Sequence, residues 1–399
     1  MNEHDLLRLF CFGFDGPVIP PSLRPHLEAG LGGVILFRRN LHDLEQICRL
    51  TADLHAASSA PLLTGVDQEG GRVTRLPPPF LTPPAAAVLG RIGDAALAQA
   101  LARAVGEELR AAGFNWNLAP VLDVHTNPRN PIIGDRAYGR DPELVSRMGA
   151  AAIRGFAEAG VLSTAKHFPG HGETALDSHL TLPESPQDVR RWRSVEFVPF
   201  RHAIGVGVPM ILVAHLSCPA LDPAAPSSLS RIIVTDILRG ELGFDGVVVS
   251  DDLEMAAIAA GFEIGEAAVR FLEAGGDLIL ICHDPSRQEA AVRAVGAALR
   301  SGRLSERQVC ASLERLSGLP DRAHGSRIAG RGEAVRSIIG TRAHQELLHT
   351  VLERAGLISS GEEEEPAEGS APGVNRRRRL RGLERCPPTS PGRSRSRPR

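Results

Sequence analysis

Gly160-Val161-Leu162-Ser163-Thr164-Ala165 runs directly into Lys166-His167-Phe168-Pro169-Gly170-His171-Gly172-Glu173-Thr174-Ala175-Leu176-Asp177-Ser178-His179, so an apolar run breaks abruptly into titratable side chains set among Gly and Pro. The first part reads as a short buried strand, and the change in composition marks where that strand becomes a loop. Three histidines, a lysine and two carboxylates follow at once. In parallel α/β folds, ligands bind at this end of the strands.

The pattern repeats in both directions. Short apolar, β-branched runs occur at 7–14, 33–37, 62–67, 115–121, 161–166, 209–215, 247–251 and 277–281. Ala-, Leu-, Arg- and Glu-rich stretches with helical spacing lie between them, as at 96–112, 142–159 and 266–274. About eight βα units in roughly 320 residues predict a TIM-type (β/α)8 barrel. The competing open doubly wound sheet needs a Gly-rich turn after a strand and before a helix. Gly30-Leu31-Gly32-Gly33 comes before its strand, in the wrong order.

At 399 residues and 43% apolar composition, the chain can bury a substantial core. A formal net charge of −2 exerts no global pull on nucleic acid or anionic membrane. Cys11, Cys48, Cys218, Cys282, Cys310 and Cys386 include no CxxC pair, which suits reduced thiols better than a disulfide framework. The N-terminus carries Glu3 and Asp5 where a signal peptide would carry Lys or Arg, and no apolar run approaches the roughly 18 residues of a membrane span. A cytoplasmic monomer is expected, with no cofactor, no membrane partner and no nucleic-acid partner.

Composition changes after Ile358 to Gly361-Glu362-Glu363-Glu364-Glu365-Pro366, then Arg376-Arg377-Arg378-Arg379 and a Ser/Pro/Arg-rich end. Too few apolar residues remain there to offset the entropy of ordering. The expected division is a catalytic barrel at 1–345, then a helix of ambiguous status and a disordered acidic and Arg-rich tail at 346–399.

Val247-Val248-Val249-Ser250-Asp251-Asp252-Leu253-Glu254-Met255 is an apolar strand ending in adjacent carboxylates. Side chains alternate along a strand, so one carboxylate is expected to face the barrel mouth and the other to cap the next helix, unless both are merely caps. Asp177 and His179 are close enough in a loop to share a hydrogen bond, which is either structural or a dyad with a raised imidazole pKa suited to acid/base work. His167, His171, Asp177 and His179 could instead ligate zinc, but their spacing matches no HExxH-type helix. Asp67 at the third strand end can accept sugar hydroxyls, Arg75 can reach over a ligand, and Arg136 is the expected inward donor of the loop after the fourth strand. With one Tyr and two Trp, polar contacts are expected to outweigh aromatic stacking.

Together, VDQEGGRVTR, NPIIGDRAYG, KHFPGHGETALDSH and VVVSDDLEM closely resemble the glycoside hydrolase family 3 β-N-acetylhexosaminidases in their single-domain bacterial form. The resemblance runs from about Leu31 to Cys282. It implies Asp251 as nucleophile, His179 as acid/base catalyst and Asp177 as its orienting partner. It further implies that Asp67, Arg75, Arg136, Lys166 and His167 grip N-acetylglucosamine, with no metal. Cleavage of N-acetylglucosaminyl muropeptide fragments during cell-wall recycling would follow, through a covalent glycosyl-enzyme with net retention.

Two alternatives remain at this stage. A histidine acid/base carries no fixed negative charge, so phosphate could replace water and make the protein a phosphorylase, revealed by sugar 1-phosphate in phosphate buffer. A catalytically silent sugar-binding barrel would bind N-acetylglucosamine without turnover. The resemblance gives the tail no role, so truncation after Ser360 is expected to leave turnover on a β-N-acetylglucosaminide unchanged, and a large loss of kcat would contradict this.

Overall fold

The computed structural model describes residues 3–174, 182–319 and 333–358. Eight parallel strands close into a barrel in chain order. They are β1 (Phe10–Phe12), β2 (Gly33–Leu36), β3 (Leu63–Val66), β4 (Trp116–Asn117), β5 (Leu162–Phe168), β6 (Met210–Val213), β7 (Val247–Asp252) and β8 (Leu278–Ile281). Pairing of Phe10 with Ile279 and of Phe12 with Ile281 closes the ring. The strand residues are buried on both faces apart from the last two of β7, which explains the continuous apolar runs in the sequence. The expected barrel is therefore the fold of the protein.

Local chemistry sets the helix limits. Helix Pro142–Ala159 begins where the Asp141 carboxylate accepts the backbone N–H groups of Glu143 and Leu144, with proline in the first turn, and ends at Gly160 in the left-handed conformation (φ 74°). That glycine turns the chain into β5, the strand that carries Lys166 and His167. The helix packs closely on Ala95–Ala111, where a Cβ on Gly155 would sit 2.3 Å from the Gln99 carbonyl oxygen. Inside the barrel, a Cβ on Gly65 would lie 2.5 Å from the Trp116 ring, so glycine makes room for that indole.

Two strands differ from the sequence expectation. Leu7 ends the helix Glu3–Leu7, and only Phe10–Phe12 of the run at 7–14 joins the sheet. The run at 115–121 gives only a two-residue strand, because Pro120 has no N–H to donate to a ladder. Pairing toward β5 continues irregularly through Thr164 N to Ala119 O (2.9 Å) and Leu122 N to Lys166 O (2.6 Å).

Helix Arg342–Arg354 crosses residue 345, the expected end of the barrel segment. It docks through Glu108 of helix Ala95–Ala111, a buried carboxylate that accepts from Leu81 N (2.6 Å), Gly340 N (2.9 Å) and His344 Nδ1 (2.8 Å). The Glu108 bond, with help from Glu107 and against partial burial, raises the His344 pKa above the ordinary imidazole value. The acidic and Arg-rich stretch after Ile358 lies outside the described residues.

Glu108→Ala is expected to destabilise the fold by about 1–3 kcal/mol by stranding buried donors, measurable as a lowered denaturation midpoint. Because His344 binds its proton more tightly when folded, its contribution is complete below the unfolded imidazole pKa and is lost as pH rises through the raised folded value. His344→Ala should flatten the stability-versus-pH curve in that interval; an unchanged slope would rule out the Glu108–His344 contact as its source.

Candidate active site

The C-terminal strand ends open onto a cleft of ≈ 880 Å³ lined by Asp67, Arg75, Arg136, Lys166, His167 and Asp251, among others. These residues come from the ends of β3, β5 and β7 and from the loop after β4, so closure of the barrel gathers positions far apart in sequence. All six were expected on one face from sequence, and the structure brings them together. Asp177 and His179 lie outside the described residues.

A buried charge network organises the cleft floor. Lys166 Nζ lies 2.7 Å from Asp67 Oδ1 and 2.6 Å from Glu69 Oε1. Arg136 approaches the same Glu69 with Nε and Nη2, each at 2.8 Å, as a two-pronged pair. Arg75 Nη2 stands 3.7 Å from Asp67 Oδ2. Burial pushes the Glu69 carboxyl up, but Lys166 and Arg136 outweigh this and hold it below the usual carboxylate range. Burial opposes the charge on Lys166, yet Asp67 and Glu69 keep it protonated, with its pKa raised.

The Lys166–His167 peptide is cis, and both side chains line the cleft. His167 Nδ1 lies 2.7 Å from Asp123 Oδ2, and Asp123 Oδ1 accepts the His171 backbone N–H at 2.6 Å. Burial raises the Asp123 carboxyl, but His167 and His171 more than offset it, so the group stays ionised. Nδ1 of His167 therefore faces a carboxylate, and its Nε2 lies 3.3 Å from Arg136 Nη2. His171 is driven down to about 4 by burial, reinforced by His167 against the opposing Asp123 charge, and Thr174 Oγ1 lies 2.7 Å from its Nδ1. Both His167 nitrogens are thus engaged within the protein, and no group of three His, Cys, Asp or Glu side chains is assembled for a metal among the described residues.

Strict alternation at the end of β7 does not hold. Asp251 and Asp252 both line the cleft, because the register against β8 shifts between Val249 and Asp252. Nor does Asp252 cap a helix: Oδ1 accepts from Glu254 N (3.1 Å) and Cys282 N (3.3 Å), while the next helix, Ala256–Ala259, begins at Met255 with no side-chain cap. The two carboxyls titrate apart. Burial raises Asp251, but nearby His215 and His167, the Asp252 N–H and Lys166 outweigh it and hold the pKa below its ordinary value. Asp252 is pushed up to about 7 by burial, with Glu254 and Asp251 adding repulsion against two backbone N–H donors. An ionised carboxylate therefore sits beside one that changes its protonation near neutral pH, so the two neighbours do not carry full charge together until the pH rises above that point.

Sequence reasoning did not single out Glu69 or Asp123. Glu69 stands two positions beyond Asp67 at the same strand end, so the period-two spacing was a usable signal. Asp123 follows the irregular fourth strand, and only the fold shows that it supports His167. Trp116, Trp192 and Tyr138 are buried in the core, while Phe37 and His283 line the cleft.

Residues 26–319 match the glycosyl hydrolase family 3 N terminal domain. The chain is 40% identical over 294 residues to a β-hexosaminidase of Chromobacterium violaceum, covering 72% of this chain and 80% of that protein. A solved family 3 β-N-acetylglucosaminidase from a Paenibacillus species superposes with a TM-score of 0.85 at 43% identity, covering 89% of this chain and 69% of that one. NagZ from Neisseria gonorrhoeae, solved in complex with N-trifluoroacetyl-D-glucosamine, gives a TM-score of 0.72 at 32% identity over 87% of this chain and 98% of its own.

Glu69→Gln is expected to destabilise the protein by about 3–5 kcal/mol, because Lys166 and Arg136 lose the negative charge that offsets their burial. Chemical denaturation provides the measurement, and a variant as stable as wild type would show that this charge does not support the fold.

Proposed function

The chain belongs to glycosyl hydrolase family 3, and from that premise we propose that it is a retaining β-N-acetylhexosaminidase acting on terminal β-linked N-acetylglucosamine. The observation that carries this reading is the ionised Asp251 at the β7 end, facing the same cleft as Asp67, Arg75, Arg136, Lys166 and His167. Carboxylates and cations in fixed positions suit a polar sugar: Asp67 accepts hydroxyl protons, while Lys166, Arg75, Arg136 and His167 supply or organise donors.

In this mechanism Asp251 attacks the anomeric carbon through an oxocarbenium-like transition state as His179 protonates the departing glycosidic oxygen. The glycosidic bond breaks, a covalent glycosyl-enzyme forms at Asp251, and the aglycone leaves with the proton from His179. Water then attacks the same carbon, neutral His179 takes a water proton, and release of Asp251 gives net retention. Asp177 orients His179 and stabilises its charged form. An imidazole serves here because a second ionised carboxylate close to Asp251 would meet like-charge repulsion. The family branch supports N-acetylglucosaminyl muropeptide fragments as substrate, processed in the cytoplasm during cell-wall recycling.

Release of nitrophenol from 4-nitrophenyl N-acetyl-β-glucosaminide tests the reading. Wild type should turn over, and Asp251→Ala should lose activity by on the order of 10⁴-fold or more; no wild-type turnover, or a fully active variant, would refute the assignment. The lowered Asp251 pKa sets a second expectation. The nucleophile stays ionised until pH falls below the ordinary aspartate range, so the acid limb of kcat/KM should lie below that range. An acid limb near neutrality would place its controlling group elsewhere.

A further inference from the structure

The cleft is larger than a single pyranose ring needs, and its lining is chemically mixed. It includes the carboxylates and cations around Lys166 and also Phe37 after β2 and His283 after β8. The Phe37 and His283 rings are stacked, with centroids 5.9 Å apart and planes inclined by 23°. The Arg39 guanidinium lies over the Phe37 ring, 4.5 Å from its centroid. None of these three residues joins the network around Glu69 or the step at Asp251.

The stack is fixed in place. Arg39 donates to Phe14 O (3.0 Å) and Cys282 O (2.6 Å) and pairs with Asp15 at 2.7 Å, tying together the ends of β1, β2 and β8. His283 N donates to Glu254 Oε2 at 2.6 Å, and its Nε2 lies 3.4 Å from Asp252 Oδ2. Its side chain is nevertheless 54% exposed, so ring surface remains available to a ligand. Partial burial and the neighbouring Arg39 lower the His283 pKa, favouring a neutral ring near neutral pH. Through Asp252, the stack is joined to the residue adjacent to Asp251.

We propose that Phe37 and His283 form the platform of a leaving-group subsite, which takes the pyranose ring of a glycosyl aglycone by stacking on its apolar face. The proposal rests on the hexosaminidase reading and adds to it two residues that set leaving-group specificity, favouring a glycosyl over a small alkyl leaving group. Pyranose rings present C–H groups on one face, and a rigid aromatic surface buries them with little loss of side-chain entropy.

The test compares kcat/KM for N,N′-diacetylchitobiose and for methyl N-acetyl-β-glucosaminide. Both leaving groups are alkoxides, so the ratio mainly reports aglycone recognition. His283→Ala should lower the chitobiose-to-methyl ratio about tenfold, and His283→Phe should restore it. Phe37→Leu should act in the same direction while retaining apolar volume against the core. The inhibition constant of free N-acetylglucosamine, which reads the groups around Lys166, should stay at its wild-type value in His283→Ala. An unchanged ratio overturns the proposal, as does a parallel loss on both glycosides with weakened N-acetylglucosamine inhibition. Wild-type protein that cleaves neither glycoside would refute the hexosaminidase reading itself, and the platform with it.

Discussion

Glu69 carries two buried cations, and the arrangement of the cleft depends on that balance. Ammonium and guanidinium groups are costly to bury unpaired, and fixed carboxylates meet both Lys166 and Arg136 to offset that cost. Glu69 faces the two at once, which leaves Asp67 beside Lys166 and also within reach of Arg75. The result is a rigid array of donors and acceptors set before ligand binding, avoiding an entropic cost that flexible Lys and Arg side chains would otherwise incur.

The same logic extends to the end of β7. Asp123 meets one ring nitrogen of His167 and Arg136 the other, while His215, His167, the Asp252 N–H and Lys166 together keep Asp251 ionised. Asp252, one position further on, is driven the other way by burial and repulsion. Two chemically identical side chains thus acquire different protonation states from their surroundings. A shift in strand register is what lets both face the cleft, so a small irregularity of β7 contributes directly to the chemistry of the glycosidase site.

Much of the fold was legible because a parallel barrel buries both strand faces and amphipathic helices separate the strands. Runs at 33–37, 62–67 and 247–251 stood out as short apolar segments, and the helical spacing at 142–159 corresponds to helix Pro142–Ala159. Legibility failed where another constraint overrode hydrophobicity. Leu7 is apolar but packs from a helix, and the fourth strand stops at two residues because proline interrupts its ladder.

The sequence by itself determined the eightfold alternation of strand and helix, the position of chemistry-bearing residues at strand ends, and the four motifs that resemble family 3. These are local properties, set by periodicity, turn chemistry and residue type. Only the tertiary structure decided that Glu69 bridges Lys166 and Arg136, that Asp123 supports His167, and that Phe37 stacks on His283 across 246 positions of chain. Electrostatic coupling and ring stacking depend on distance in space, and closure of the barrel brings residues from distant strands within a few ångströms of one another.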